Sequence, residues 1–282
     1  MDREQALETL VQAGLGRVRS DLDRLLQPAI RIRTQPADEA TIPSGASKLG
    51  GLPDLPQGSA WPAGKGKPLA FIGQIRLEDA RGCAAALALP PSGTLSFFYD
   101  AAQETYGADP ADRGGWQVLY FAADASLIRT PAPTELPQEA RYHACAVTLT
   151  DELTLPVQPE LEIPSLDWTD DELANYEQAW ATFPAPEEHG TIHNRLLGHP
   201  DTLQDDMRLE CQLASNGVNA MDDPRVTRLS AGAMDWRLLL QVDSDPNAGM
   251  RWASAGMLYF WIQEQALRAR QFDNVWVVLQ SD

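Results

Sequence analysis

Residues 69–75 read LAFIGQI and residues 236–243 read WRLLLQVD, two apolar runs that each carry a glutamine, Gln74 and Gln241, near the end. Short runs of this composition, bounded by turn formers, are strands. A glutamine is uncommon in a buried strand, so its recurrence at matching places ties the two runs together. Facing inward, its amide needs hydrogen-bond partners, and the neighbouring Gly-Pro turn is the expected one. That role is structural, which makes Gln74 and Gln241 poor catalytic candidates.

Working outward, the same features appear in the same order around both runs. LGGLPD (49–54) precedes the first, and GTLSFFYD (93–100) and WQVLYF (116–121) follow it. LGHPD (197–201) precedes the second, and GMLYFWI (256–262) and VWVVLQ (275–280) follow it. The pattern predicts an α+β fold with mixed or antiparallel sheets built from an internal pseudo-repeat. Gly50 to Gln74 spans 24 positions and Gly198 to Gln241 spans 43, so the second copy holds an insertion, expected to be helical around 203–229.

Other segments follow from periodicity. Leu7, Leu10, Val11, Leu15, Val18, Leu22 and Leu25 recur at helical steps, predicting one amphipathic helix over 3–27 that Pro28 stops. Residues 29–34 alternate as a strand, 44–68 are too rich in Gly and Pro for regular structure, and 78–89 suit a short helix. Residues 142–148 are the clearest strand of the Pro-rich stretch, which continues through 150–167 as an extended connector. Thr169 and the acidic residues after it start a helix within 167–183. The expected organisation is an amino-terminal helix and strand (1–43), a first unit with its connector (44–165) and a second unit with its insertion (166–282), in one compact domain.

Composition narrows the function classes. The 282 residues are 44% hydrophobic with eight Trp, ample for a core. A net charge of −18 disfavours nucleic acid, whose phosphates need a basic face, and favours a basic partner. No apolar run approaches the roughly 20 residues that span a bilayer, and the charged start is unlike a signal peptide, so the cytoplasm is expected. Cys83, Cys145 and Cys211 are odd in number and far apart, which predicts buried free thiols and neither a disulfide nor a metal site.

Catalytic and cofactor motifs are missing. Residues 45–49, GASKL, lack the final glycine of a nucleophile elbow, and no Gly-Lys-Ser or Gly-Lys-Thr occurs. His189, His193 and His199 cluster, but Gly190, Thr191 and Ile192 weaken the helix that would align two of them, so surface or turn histidines are the better reading. The acidic pairs have no EF-hand spacing. No cofactor is expected.

Residues 44–282, through SKLGGLPDLPQGSAWP, LAFIGQI, LLGHPDTLQDDMRLECQLAS, WRLLLQVDSD and GMLYFWIQEQALRARQFDNVWVVLQ, resemble the bacterial YwqG-like family. The resemblance implies an α+β fold with an internal pseudo-repeat and supplies no catalytic residues. Some members look like immunity proteins beside secreted toxins. The expectation is therefore a non-enzymatic immunity protein that neutralises a toxin, a basic nuclease effector, through an acidic surface. The contact residues expected are Glu187, Glu188, Asp222, Asp223, Asp243 and Asp245, the last two in the loop VDSDPNAG (242–249). The alternative is an enzyme or small-ligand protein with Trp61 and Trp252 lining a pocket.

Overall fold

In the computed structural model, which describes residues 1–184 and 191–281, strands from every part of the chain join one antiparallel sheet. The strands are β1 (Gln27–Pro36), β2 (Lys48–Leu49), β3 (Asp54–Pro56), β4 (Ala63–Gly64), β5 (Lys67–Pro68), β6 (Ala70–Arg76) and β7 (Thr94–Tyr99). They continue with β8 (Trp116–Phe121), β9 (Leu127–Arg129), β10 (Cys145–Thr154), β11 (Asn194–Leu196), β12 (Trp236–Asp243), β13 (Gly256–Gln263) and β14 (Trp276–Ser281). Ten of them order as β14-β13-β12-β11-β1-β10-β2-β6-β7-β8. The long β1–β10 pair, in register from Gln27 opposite Thr154 to Pro36 opposite Cys145, sits at the centre. It is flanked on each side by four strands taken in chain order.

The α+β class holds. Residues 150–154, expected as connector, instead form half of the central strand, because the acidic and β-branched residues there pair with β1. Strand β11 has no counterpart in the sequence reading: three residues of mixed polarity carry too little periodicity.

The sheet curls until its two ends meet. Trp116 Nε1 donates to the Val275 carbonyl at 2.9 Å, and Trp276 Nε1 to the Gly107 carbonyl at 2.8 Å. The two indoles meet edge-on at 4.8 Å, and Phe97 meets Phe260 at 5.2 Å, so opposite wings share one core. In each wing a bulge shifts the register, between Phe71 and Gly73 and between Leu238 and Leu240. Beyond it Ile75 and Val242 enter the core while Gln74 and Gln241 turn to the other face.

Helices cover the outside of the central pair. The expected single helix over 3–27 is broken into α1 (Arg3–Leu10), a π turn at Val11–Leu15, a 3-10 turn at Gly16–Val18 and α2 (Arg19–Leu25). Gly14, at φ +91°, folds the two pieces back so that Leu7, Leu10, Leu15 and Leu22 enter one cluster with Tyr176. The later helices are α3 (Pro159–Glu162), α4 (Asp170–Trp180), α5 (Arg208–Ser215), α6 (Val226–Leu229) and α7 (Glu264–Arg268). Thr169 caps α4 with a reciprocal bond from Glu172, as its sequence suggested. Residues 78–89 form two 3-10 turns, not a helix. All three cysteines are free and buried.

The contact between wings is testable. Phe97→Ala and Phe260→Ala should each cost about 3–5 kcal/mol in urea unfolding. The double variant should cost less than the sum, since both open one shared cavity. Strict additivity would mean the wings do not lean on each other here.

Candidate functional site

Polar groups buried on the outer face of the sheet form two clasps, one per wing. In the first, Gln74 Oε1 accepts the Asp54 N–H at 2.9 Å. Its Nε2 donates to the Ala46 carbonyl at 2.9 Å and to Asp54 Oδ2 at 2.7 Å. In the second, Gln241 Oε1 accepts the Asp201 N–H at 2.9 Å, and Nε2 donates to the His193 carbonyl at 2.7 Å and Asp201 Oδ2 at 2.9 Å. The amides therefore do bond the Gly-Pro turns, as expected.

The turns between strand and Asp are built alike. Lys48, opposite Gln74, donates to the Leu52 carbonyl; Arg195, opposite Gln241, donates to the His199 carbonyl at 2.9 Å. Gly50 and Gly51 have φ of +64° and +73°, and Leu197 and Gly198 have +59° and +74°. A side chain at Gly198 would collide with Ala29 Cβ at 2.6 Å and Thr154 Oγ1 at 2.7 Å, so glycine is required there by both conformation and space.

Around each clasp lies a set of paired charges. The ammonium of Lys48 is wholly buried and donates to Glu39 Oε1 at 2.8 Å, while Arg129 holds Asp54 Oδ1 at 2.7 Å and also reaches Glu39. In the second wing Arg195 grips Asp201 with both terminal nitrogens, at 3.0 and 2.8 Å, and faces Glu152 at 3.1 Å. Arg31 completes the row, 3.0 Å from Glu152. His193 Nδ1 lies 2.8 Å from Asp201 Oδ2.

Burial works against the Asp54 and Asp201 charges. Arg129, the Gly45 N–H, Gln74 and Lys48 outweigh it at Asp54, and Arg195, His193 and Gln241 at Asp201, so both carboxyls sit below their usual range. His199 is buried with its Nε2 2.8 Å from the Leu25 carbonyl, and desolvation lowers its pKa to about 4.

Two cavities adjoin the clasps. One of about 260 Å³ is lined by Glu152, His193, Arg195 and Asp201 together with Trp180, Phe183 and Met257. The other, about 610 Å³, lies beside Glu39, Gly51, Trp61 and Phe71. Trp61 is thus at a cavity. Trp252 is not: it is fully buried against Tyr99 and Tyr142, and its Nε1 donates to the Asp243 carbonyl at 3.0 Å.

Residues 47–281 match the family described as domain of unknown function (DUF1963). The chain belongs to that family. The region matched by DUF1963 contains both glutamines, both clasp aspartates and all of the sheet except β1. No curated protein matches the chain.

The structure disperses the expected contact residues of this DUF1963 chain. Asp245 is corrected from surface to interior: it is 0% exposed and accepts Thr34 Oγ1 at 2.7 Å and Asn194 Nδ2 at 2.9 Å, so it braces the loop and meets no partner. Asp243 is half-buried and takes the His193 and Ser244 N–H groups. Asp222 is exposed, and Asp223 is bonded to Arg225. Glu187, Glu188 and His189 lie outside the described residues. Among those described, no cluster of three or more His, Cys, Asp or Glu could hold a metal, and no helix is long and apolar enough to cross a membrane.

Sequence reasoning missed Glu39, Asp54, Arg129, Glu152, Arg195 and Asp201. A signal existed for two of them, since LGGLPD and LGHPD both end on the aspartate that the glutamine holds.

Two outcomes check the clasps. Gln74→Leu or Gln241→Leu strands an Asp N–H and carboxylate, and each should lower unfolding free energy by about 1–3 kcal/mol per group left unpaired. The His199 pKa is depressed from 6.5, so the unfolded chain takes up this proton first, and stability should fall as pH drops from 6.5 toward 4. The depressed Asp54 and Asp201 add a further loss below their unfolded value near 3.8. Thermal midpoints of His199→Gln should be flatter than wild type between pH 7 and 5. A parallel profile would remove His199 as the cause.

Proposed function

We propose that this chain is a YwqG-like immunity protein, a non-catalytic inhibitor that neutralises a basic nuclease toxin in the cytoplasm by covering its phosphate-binding cleft with carboxylates. The observation that carries this reading is the segment between Arg141 and Arg195, which holds eleven Asp and Glu and no Lys or Arg. Glu152, Glu162 and Glu172 are spent on Arg31, Arg208 and Arg17. Glu160, Asp167, Asp170, Asp171 and Glu177 are exposed, on α4 and the stretch leading to it. A single-signed surface raises the encounter rate with an opposite charge and gives up that advantage in salt.

The contact surface moves accordingly, from the insertion and the 242–249 loop to α4 and its approach. Glu187 and Glu188 belong to the same acidic segment, and Asp222 contributes from a separate loop. The matched clasps, turns and bulges support a reading of the two wings as copies of one duplicated unit. The acidic segment is then the connection between copies, least constrained by either core and free to carry recognition.

Co-expression with the product of the neighbouring gene should restore growth in wild type. Replacing Asp167, Asp170, Asp171 and Glu177 together by their amides should slow association by roughly 10-fold at low salt while changing dissociation little. A harmless neighbour, or equal association by both proteins, would end the proposal.

A further inference from the structure

The larger cavity, of about 610 Å³, has an aromatic side and a polar side. Its volume falls within the roughly 300–1,000 Å³ common for small-molecule sites. Trp61 is held in place by an Nε1 bond to the Leu69 carbonyl at 2.9 Å and stands edge-on to Phe98 at 6.0 Å. Phe71 packs on the same Phe98 at 5.3 Å. Both rings are therefore fixed before any ligand arrives, which lowers the entropy cost of binding.

The polar side holds two charges that differ in how they are answered. Glu39 Oε1 accepts from Lys48 and Arg129, and Oε2 accepts the Leu52 N–H at 2.8 Å, so its charge is fully met. Among the described residues Arg141 bonds only to neutral carbonyls: Nε to Leu136 at 3.1 Å, and Nη2 to Pro133 and Leu136 at 2.9 Å each and to Thr134 at 3.5 Å. These bonds anchor the guanidinium while leaving Nη1 outside them and the charge without a carboxylate among the described residues. A fixed, unneutralised cation beside an aromatic wall is unexpected in a protein of net charge −18. It favours a ligand with an apolar body and one negative group.

We propose that this cavity binds a small aromatic monoanion, its ring against Trp61 and Phe71 and its anionic group on Arg141. The site is separate from the acidic surface, so either reading stands without the other.

Two fluorescent probes of nearly the same body test it, anilinonaphthalene sulfonate, which is anionic, and N-phenylnaphthylamine, which is neutral. Wild type should bind one sulfonate probe per chain, saturably. Ala132 also lines the cavity, and Ala132→Trp should abolish binding of both by filling it, with circular dichroism unchanged. Arg141→Gln should weaken the sulfonate about 10-fold, or about 1.4 kcal/mol, and leave the neutral probe within about two-fold, and Arg141→Lys should recover most of the loss. Unsaturable binding, sulfonate binding indifferent to Ala132→Trp, or equal loss of both probes in Arg141→Gln would overturn the proposal. In the last case Arg141 only ties down the loop that forms the far wall.

Discussion

Each wing of the sheet is held by a carboxamide that has nowhere else to bond. Gln74 and Gln241 are wholly buried, and each spends its oxygen and its amide hydrogens on one aspartate and one backbone carbonyl. A buried hydrogen bond adds only about 1 kcal/mol net, but a stranded partner costs about 1–3 kcal/mol. The clasp therefore acts mostly by penalising alternatives. A strand slipped by one residue would put the amide into the core and an apolar residue against the aspartate.

The charges behind the clasps work in the same way. Arg31, Glu152, Arg195 and Asp201 are strung across the centre of the sheet from β1 and β10 to the turn after β11. Buried ion pairs add little over a well-packed apolar core, whereas removing one partner costs about 3–5 kcal/mol. They join the central β1–β10 pair to the second wing, and Lys48, Glu39 and Arg129 form the matching set around the first. The core itself is common to both wings through Phe97, Phe260, Trp116 and Trp276, so neither wing encloses its apolar face alone.

Arg31, Lys48, Arg195 and Arg208 are buried in ion pairs that cancel locally, so the net charge of −18 is expressed on the surface and sets the outer field. This is why the acidic segment around α4 and the cavity beside Arg141 have opposite electrostatic character within one protein. In the first, Asp170, Asp171 and Glu177 face solvent and form no ion pair among the described residues; in the second, a cation is held by carbonyl oxygens that do not cancel it.

The strands with strong apolar patterning, β6, β7, β12 and β13, were legible from the sequence because burial on a sheet face imposes it over six to eight residues. So were the α4 cap, the free buried thiols and the structural role of the two glutamines. The sequence also determined the net charge and the order of matched segments on either side of the connector. Only the tertiary structure decided that 150–154 is a central strand, that Gly14 breaks the first helix, and that Asp245 and Trp252 are interior while Trp61 edges a cavity. Each of these depends on what the chain meets across the sheet or after a turn. Local composition reports how polar a residue is, and burial is settled by contacts with residues distant in the chain, such as Asp245 with Thr34 and Trp252 with Tyr99.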